Sequence, residues 1–528
     1  MLPPLRVAEE RESRKCPFLD TVDRKVLDFD LEKECSICLS HQNVYICLVC
    51  GCYLHGRGEN THAYTHSLQN DHHVFLNIAT KKFYCIPDNY EITDPYLDDI
   101  KAALDPEFTE ADLNQLDKNK AFYHVPSGDE YLPGMMGMNV LGKGDYINVV
   151  VQALSHIAPI RDFFLIPSNY AYSKSPLVHS FGMLMRKLWS HTRFSAHVSP
   201  HEFVNEVTRS SKERFTVKAR SDAAEFLRWL VNALHAGLKD KEHKTTVVEA
   251  CFKGKIEITT TKYTETQKRS HEEMETGVAR EQGEYTVETT TRSSDYLMLS
   301  LDLPPVPLFK NENKESVVSQ IPLYSLLGKY DGVTLTKEIW NNIEKTYRVT
   351  RLPRFLVFTI NRLKKNEFFV EKDSSIVLFP VQNLEMRDFF FPPVRAASRE
   401  VVCKMSETPL KAFITHNGES IEGCDSVAKL REKALEMVAR GGMLLPSMTS
   451  TKYDLVGSIC HDVELKDEEK EGVQSDLKSN PLDLGTYRIH LRNNGSNAWY
   501  EIQELVVTKV FPEDVCVSES SILVYERK

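Results

Sequence analysis

The chain has 528 residues, with 65 Lys and Arg against 75 Asp and Glu for a net charge of −10, and 41% of its residues are hydrophobic. That length exceeds one ordinary core and predicts about two to four domains, while the acidic balance argues against the chain as a whole binding nucleic acid nonspecifically. No apolar run reaches the ~18 to 20 residues of a membrane span, and the opening MLPPLRVAEERESRK lacks the apolar core of a secretory signal. Seven of the 12 cysteines lie within residues 16 to 85, interleaved with six of the 18 histidines. Mixed with imidazoles in this way, cysteines read as metal ligands in a reducing compartment rather than as a disulfide framework.

Taken in order, residues 1–33 read as an N-terminal tail and 34–90 as a small metal-binding module. The module holds two Cys-x-x-Cys pairs, Cys35/Cys38 and Cys47/Cys50, followed by His55, His62, His66 and His72. Four thiolates and four imidazoles suffice for two tetrahedral structural zinc sites. Together with Gly56-Arg57 and the His-Ala-x-x-His unit at His62 to His66, the spacing resembles the UBP-type zinc finger. That resemblance implies one site from Cys35, Cys38, His55 and His62 and another from Cys47, Cys50, His66 and His72, with two structural zinc ions. Cys52 competes with His55 for its place. Some members of the family hold a third zinc, for which only Cys16 and Cys85 remain here, Phe18 and Asp88 occupying the other two positions; no complete third site is expected. Arg57 matches the family's contact for the ubiquitin tail, but Tyr45 and Tyr84 stand where tryptophans are common, which weighs against that binding.

Residues 91–132 read as a helical connector. Leu97, Ile100 and Leu104 have helical spacing, Thr109 with Asp112 three places on opens a second short helix, and Pro126-Ser127-Gly128 closes the segment. A Gly-punctuated turn from Gly137 to Gly144 then opens an apolar helix carrying Val149, Ala153, Leu154 and Ile157, the way a nucleophile is presented at a helix N-terminus. Asp145 begins that helix. A carboxylate there reads as a helix cap, favoured by the positive end of the helix.

Gly137, Met138, Leu141, Gly142, Tyr146, Asn148 and Gln152 are in register with the cysteine box of the ubiquitin-specific proteases, which the segment resembles. Asp145 then falls at the nucleophilic cysteine and Val140 at the oxyanion-stabilising Asn, with Asn139 adjoining. Arg220 to Leu234, RSDAAEFLRWLVNAL, matches a second box with both of its glutamines replaced; its Phe226, Leu227, Leu230, Val231 and Leu234 form one buried helix face. Phe252 to Asp302 turns to Thr-rich alternation expected to form long antiparallel strands, like the fingers of the family's hand. Only Cys251 is near, so the zinc knuckles of many relatives are not expected there. LPRFLVFTINRLKKN resembles the family's central palm strand, IVLFPVQNLEMRDFF is another aligned piece, and 392–450 reads as an insertion outside the pattern, a solvated appendage with one helical stretch, SVAKLREKALEMVAR. In the last segment Tyr453, Leu455, His461, Gly485, Tyr487, Trp499 and Tyr500 match the histidine box. Thr486 falls at the general base, Gln503 at the residue that orients it, and His461 at a noncatalytic histidine.

The expected fold class is therefore α+β: a zinc finger, then a papain-related fingers, palm and thumb domain over 133–528. Neither Asp145 nor Thr486 can act as a thiolate or imidazole does, so no hydrolase activity is expected. DFDLEK, HAYTH, FYCIPDNYEI and YLPG, with Asp at the cysteine position, closely resemble the branch of this superfamily associated with the spliceosomal tri-snRNP. That resemblance implies a nuclear, noncatalytic pre-mRNA splicing factor supporting tri-snRNP assembly or stability through protein contacts, without sequence-specific nucleic-acid binding. Two rivals remain at this point: a deubiquitinase with another nucleophile, such as Cys460 beside His461, and a ubiquitin-binding adaptor.

Overall fold

A computed structural model of the chain describes residues 16–240, 242, 244–265, 285–305, 319–338, 343–365, 370–392, 399–421, 426–440, 450–463 and 481–528. Residues 1–15 of the expected tail, and parts of the Thr-rich stretch and of the insertion, lie outside these. The chain divides into two compact units, the first of residues 1–249, 362–374 and 456–523, the second of 250–361, 375–455 and 524–528.

The first unit begins with an antiparallel sheet of five short strands, β1 (Val44–Cys47), β2 (Tyr53–His55), β3 (Val74–Asn77), β4 (Lys82–Cys85) and β5 (Tyr90–Ile92), in the order β2-β1-β3-β4-β5. Helix α1 (His62–Asn70) connects β2 to β3. Both sheet faces are covered, so β1 and β3 read as continuous apolar runs, yet the two-residue period still sorts the side chains. Tyr45, Cys47, Phe75 and Tyr84 pack on one face. Val44, Ile46, Leu76 and Phe83 pack on the other, and there the cluster takes in Leu27 and Phe29 from before the sheet and Leu97, Ile100 and Leu104 from after it. Residues 16–33 are therefore no free tail and the start of the connector is no mere spacer; each supplies apolar side chains that the small sheet lacks.

Helices α2 (Asp98–Leu104) and α3 (Glu110–Leu116) follow, α3 opened by a reciprocal capping box between Thr109 and Asp112. Then come α4 (Asp145–Ser155), α5 (Ala158–Leu165), α6 (Pro176–Trp189), α7 (His201–Ser210) and α8 (Ala223–Leu238). Every residue of α4 is buried, which makes it the central helix of this unit. Asp222 caps α8, accepting from Ala224 N at 2.9 Å, and the helix buries Phe226, Leu227, Leu230, Val231 and Leu234 as the spacing requires. The late chain adds β6 (Lys452–Val463, in this unit from Val456 on), β7 (Gly485–Arg492), β8 (Trp499–Gln503) and β9 (Val506–Val510), an antiparallel meander in that order.

In the second unit Gly254–Glu265 pairs antiparallel with Tyr285–Tyr296 and with Ile343–Arg351, the long Thr-rich strands that alternation predicts. Leu299–Asp302 runs parallel to Phe355–Asn361, whose first six residues are all buried. The insertion is more than an appendage with one helix: Arg399–Cys403, Glu407–His416 and Val427–Arg440 enclose their own small core of Val402, Leu410, Phe413, Ile414, Leu430, Ala434 and Met437.

Candidate metal centres and the Asp145 site

Two tight turns present the thiols. Leu39 N bonds Cys35 O at 2.8 Å, and Gly51 N bonds Cys47 O at 2.9 Å. Gly51 has φ +75°, and a Cβ there would lie 2.3 Å from Val26 O, so only glycine fits. His55 ends β2, His62 and His66 lie one turn apart on α1, and His72 follows it. The structure brings together Cys35, Cys38, His55 and His62, and separately Cys47, Cys50, His66 and His72, the donor atoms of each group lying within 4.8 Å of one another.

Their separations fit a common tetrahedral ion. Zinc bonds of ~2.3 Å to sulfur and ~2.0 to 2.1 Å to nitrogen give sulfur–nitrogen edges near 3.5 Å and nitrogen–nitrogen edges near 3.4 Å. Cys35 and His62, and Cys38 and His55, lie 3.3 Å apart, with the two Nδ1 atoms 2.9 Å apart. In the second group Cys47 and His72 are 3.6 Å apart, Cys50 and His66 3.4 Å, and the ring nitrogens 3.1 Å. His55 rather than Cys52 joins the first quartet, and among the described residues no group forms around Cys16 and Cys85, both buried in the apolar cluster. Arg57 lies 4.2 Å over the Tyr84 ring, with Tyr45 edge-on to Tyr84 at 6.0 Å.

The second site is built around Asp145. Gly144, not Asp145, occupies the N-cap of α4, and Asp145 is the first helical residue. Its carboxylate is shared between the helix and its neighbours: besides the first amides of α4, Oδ2 accepts from Tyr487 N at 3.0 Å, and Arg220 Nε lies 3.6 Å from Oδ1. The cap reading is thus moved by one position and widened: the carboxylate sits in the first turn rather than at the N-cap, and β7 passes close enough to add a buried backbone donor. Arg220 also donates to Gly485 O. Asp145 is only 4% exposed, and burial raises its pKa despite the opposing effects of the Tyr487 amide, Arg220 and the first amides of α4.

Asn148 Nδ2 donates to Asn139 O at 3.0 Å and Gln152 Nε2 to Met136 O at 3.0 Å, so two polar side chains of α4 hold the preceding turn. Asn139's own amide donates to Ser199 Oγ, and Val140 beside it carries no donor. Thr486 Oγ1 accepts from Gln503 Nε2 at 3.2 Å. His461 is buried against the Tyr487 ring at 4.5 Å. A Cβ on Gly485 would meet its Cε1 at 2.3 Å, which explains the glycine beside it. Burial, with Lys372 and Arg220 nearby, pushes His461 down to about 4, so it is neutral at pH 7.

Sequence reasoning set Cys460 beside His461 with no third partner evident, whereas the structure places His490 against the thiol. Sγ lies 3.8 Å from His490 Nδ1, and His490 Nε2 is 2.9 Å from Glu501 Oε2. Alternate positions on β6, β7 and β8 carry this row, a signal visible only once the strands are paired. Cys460 is nevertheless 0% exposed and burial raises its pKa, the opposite of an accessible thiolate.

With this geometry in view, the matches to known proteins are specific. The ubiquitin carboxyl-terminal hydrolase model matches residues 136–525, and the model for the Zn-finger in ubiquitin-hydrolases and other proteins matches 35–97. The chain belongs to the ubiquitin carboxyl-terminal hydrolase family, with an N-terminal zinc finger of that type. It is 39% identical over 531 aligned residues to "Ubiquitin carboxyl-terminal hydrolase 39" of Mus musculus, covering 99% of this chain and 81% of the relative. It is 32% identical to "Probable mRNA-splicing protein ubp10" of Schizosaccharomyces pombe over 97% of this chain and 88% of that one. Among solved structures, "Crystal structure of an essential yeast splicing factor" superposes with a TM-score of 0.65 at 26% identity, over 97% of this chain and 99% of the other.

Proposed function

We propose that this chain is a noncatalytic pre-mRNA splicing factor that works in the nucleus with the tri-snRNP, on a protease scaffold that has lost its chemistry. The observation that carries the loss of chemistry is the Asp145 carboxylate, tied to Tyr487 N and paired with Arg220, at the position where the family pattern sets its thiol nucleophile. Acyl transfer by this family needs a thiolate and an imidazole base. At the base position Thr486 has a neutral hydroxyl held by Gln503, and Val140 has no donor for an oxyanion. In a model hydrolase, losing the nucleophile or the base alone costs on the order of 10⁶ in rate. The splicing role is supported by the two splicing relatives, matched over nearly the whole chain.

Each cysteine and histidine quartet would hold one structural zinc, two in all, whose binding supplies folding energy to a sheet too small to be stable alone. The tests are direct. The purified protein is expected neither to cleave a fluorogenic ubiquitin substrate nor to react with a ubiquitin-based thiol probe; labelling at Cys460 would return the protease reading. Affinity purification of the chain from cells of its own organism is expected to recover small nuclear RNAs. Their absence would defeat the splicing reading.

A further inference from the structure

We propose that the outer edge of β9 is a docking strand, which takes one extended segment of a partner protein as an added antiparallel or parallel strand. The edge is built by a two-residue turn. Glu504, at φ +54°, and Leu505 link β8 to β9, so Gln503 and Val506 form the closing pair and exchange backbone hydrogen bonds. Alternation along the ladder then turns Val506, Thr508 and Val510 toward β8 and directs the N–H and C=O of Val507 and Lys509 outward. β9 is the last strand of its sheet, and among the described residues no strand pairs with this edge.

The side chains around that edge are unusually apolar for a surface. Leu505 is 48% exposed, Val506 62% and Phe511 74%, all within seven residues of chain. Large apolar groups gathered beside unpaired backbone make a surface for strand addition, in which main-chain hydrogen bonds give affinity and alternate side chains give specificity.

Charge decides the occupant. Exposed Glu504 stands at one end of β9 and exposed Glu513 and Asp514 at the other, with the single exposed base Lys509 between them. A complementary segment carries Lys or Arg at both ends, apolar residues at alternate inner positions, and an acidic or polar residue opposite Lys509. Lys509 also blocks indiscriminate pairing, since a charge on an edge strand disfavours a partner without an answering group. Five residues of β9 span about 17 Å, so the segment is short.

This inference names the contact surface for the splicing role, and its test separates the two. Phe511 is replaced by photoreactive benzoylphenylalanine in the full chain, the cells are irradiated, and the crosslinked peptide is sequenced. Hydrogen exchange at Val507 and Lys509 is compared between the free chain and the isolated complex. The expected result is one partner segment of the stated pattern, with both amides exchanging at least tenfold more slowly in the complex. Lys509→Pro, which removes an outward N–H together with the ammonium that the partner answers, and Phe511→Ser should each reduce recovery of that partner at least tenfold in an otherwise folded chain. Crosslinks to this chain's residues 1–15 or 464–480, scattered or no crosslinks, equal amide protection in the free chain, or full recovery with Lys509→Pro would each overturn the proposal. Small nuclear RNAs missing from a correctly crosslinked complex would sink the splicing reading alone.

Discussion

Asp145 illustrates how one buried carboxylate orders its surroundings. A carboxylate buried to 4% exposure demands a countercharge and a donor, and Arg220 and the Tyr487 amide provide them. Because burial raises its pKa, the native state holds a proton more tightly than the unfolded chain does. Its contribution to stability is therefore fully present below the ordinary carboxylate pKa of 3.8 and lost as pH rises through the raised value. At neutral pH the ion is a cost that Arg220 offsets. Arg220→Ala should then destabilise by about 3 kcal/mol at pH 7, and by less near pH 4, where proton uptake neutralises the carboxyl. Asp145→Asn should cost under ~1 kcal/mol, since a carboxamide oxygen still accepts from Tyr487. Urea melts at both pH values check this; equal losses at the two would show that the pair carries no charge-dependent strain. Asp145→Cys alone should give no ubiquitin hydrolysis, because Thr486 still cannot take a proton; a measurable rate would mean the base lies elsewhere.

Elements expose what a sequence does and does not disclose. The grouping of eight cysteines and histidines into two candidate quartets was legible because knuckle spacing is local: turns and one helix set most of the geometry. The capping box at Thr109 and the buried face of α8 were legible for the same reason. The contacts of Arg220 were not, since they join a loop to a strand 265 residues away. Nor was the burial of Cys16, Val22, Leu27, Phe29 and Asp30 before the first strand. Asp30 sits 6% exposed, bonded to Lys187 at 2.7 Å and Arg193 at 3.1 Å and accepting from Ser199 N at 3.0 Å. Burial alone would push Asp30 up, but the two cations and the Ser199 amide outweigh it and hold it at about 2. The sign is opposite to that of Asp145: this stability, about 2 kcal/mol, is present above the ordinary pKa and lost as pH falls through about 2. Asp30→Ala leaves two buried cations without an anion and should cost about 3 to 5 kcal/mol, read as a lowered denaturation midpoint. For the finger, atomic absorption on the full chain should fall from two zinc ions to one with Cys47→Ser or His66→Ala and stay at two with Cys52→Ala. Loss of metal with Cys52→Ala would reassign the ligands.

At the scale of the whole molecule, the proposed noncatalytic role rests on a scaffold that is kept in both units. Each unit keeps an apolar core: Tyr146, Phe215 and Phe226 pack ring against ring in the first, while Phe355 to Ile360 are buried in the second. The positions that would touch a scissile bond hold side chains that bond to one another or to the backbone instead, Thr486 with Gln503 and Asp145 with Tyr487. On the noncatalytic reading proposed above, what this arrangement contributes is a stable fold and the surface it supports. With a net charge of −10, that surface is suited to protein partners more than to phosphate backbones, and binding energy should concentrate in a few apolar or Arg anchors. The double variant Asp145→Asn with Thr486→Ala leaves the surface untouched and removes the only charge from the pseudo-active positions. It should recover small nuclear RNAs and support splicing at close to wild-type levels when it replaces the native chain. Asp145→Ala is a poorer test, because it strands the Tyr487 amide and Arg220 in a buried place and would lower abundance through folding alone. If the double variant stayed folded and abundant yet blocked splicing, the positions around Asp145 would have to take part in the function directly, and a purely scaffolding role could not stand.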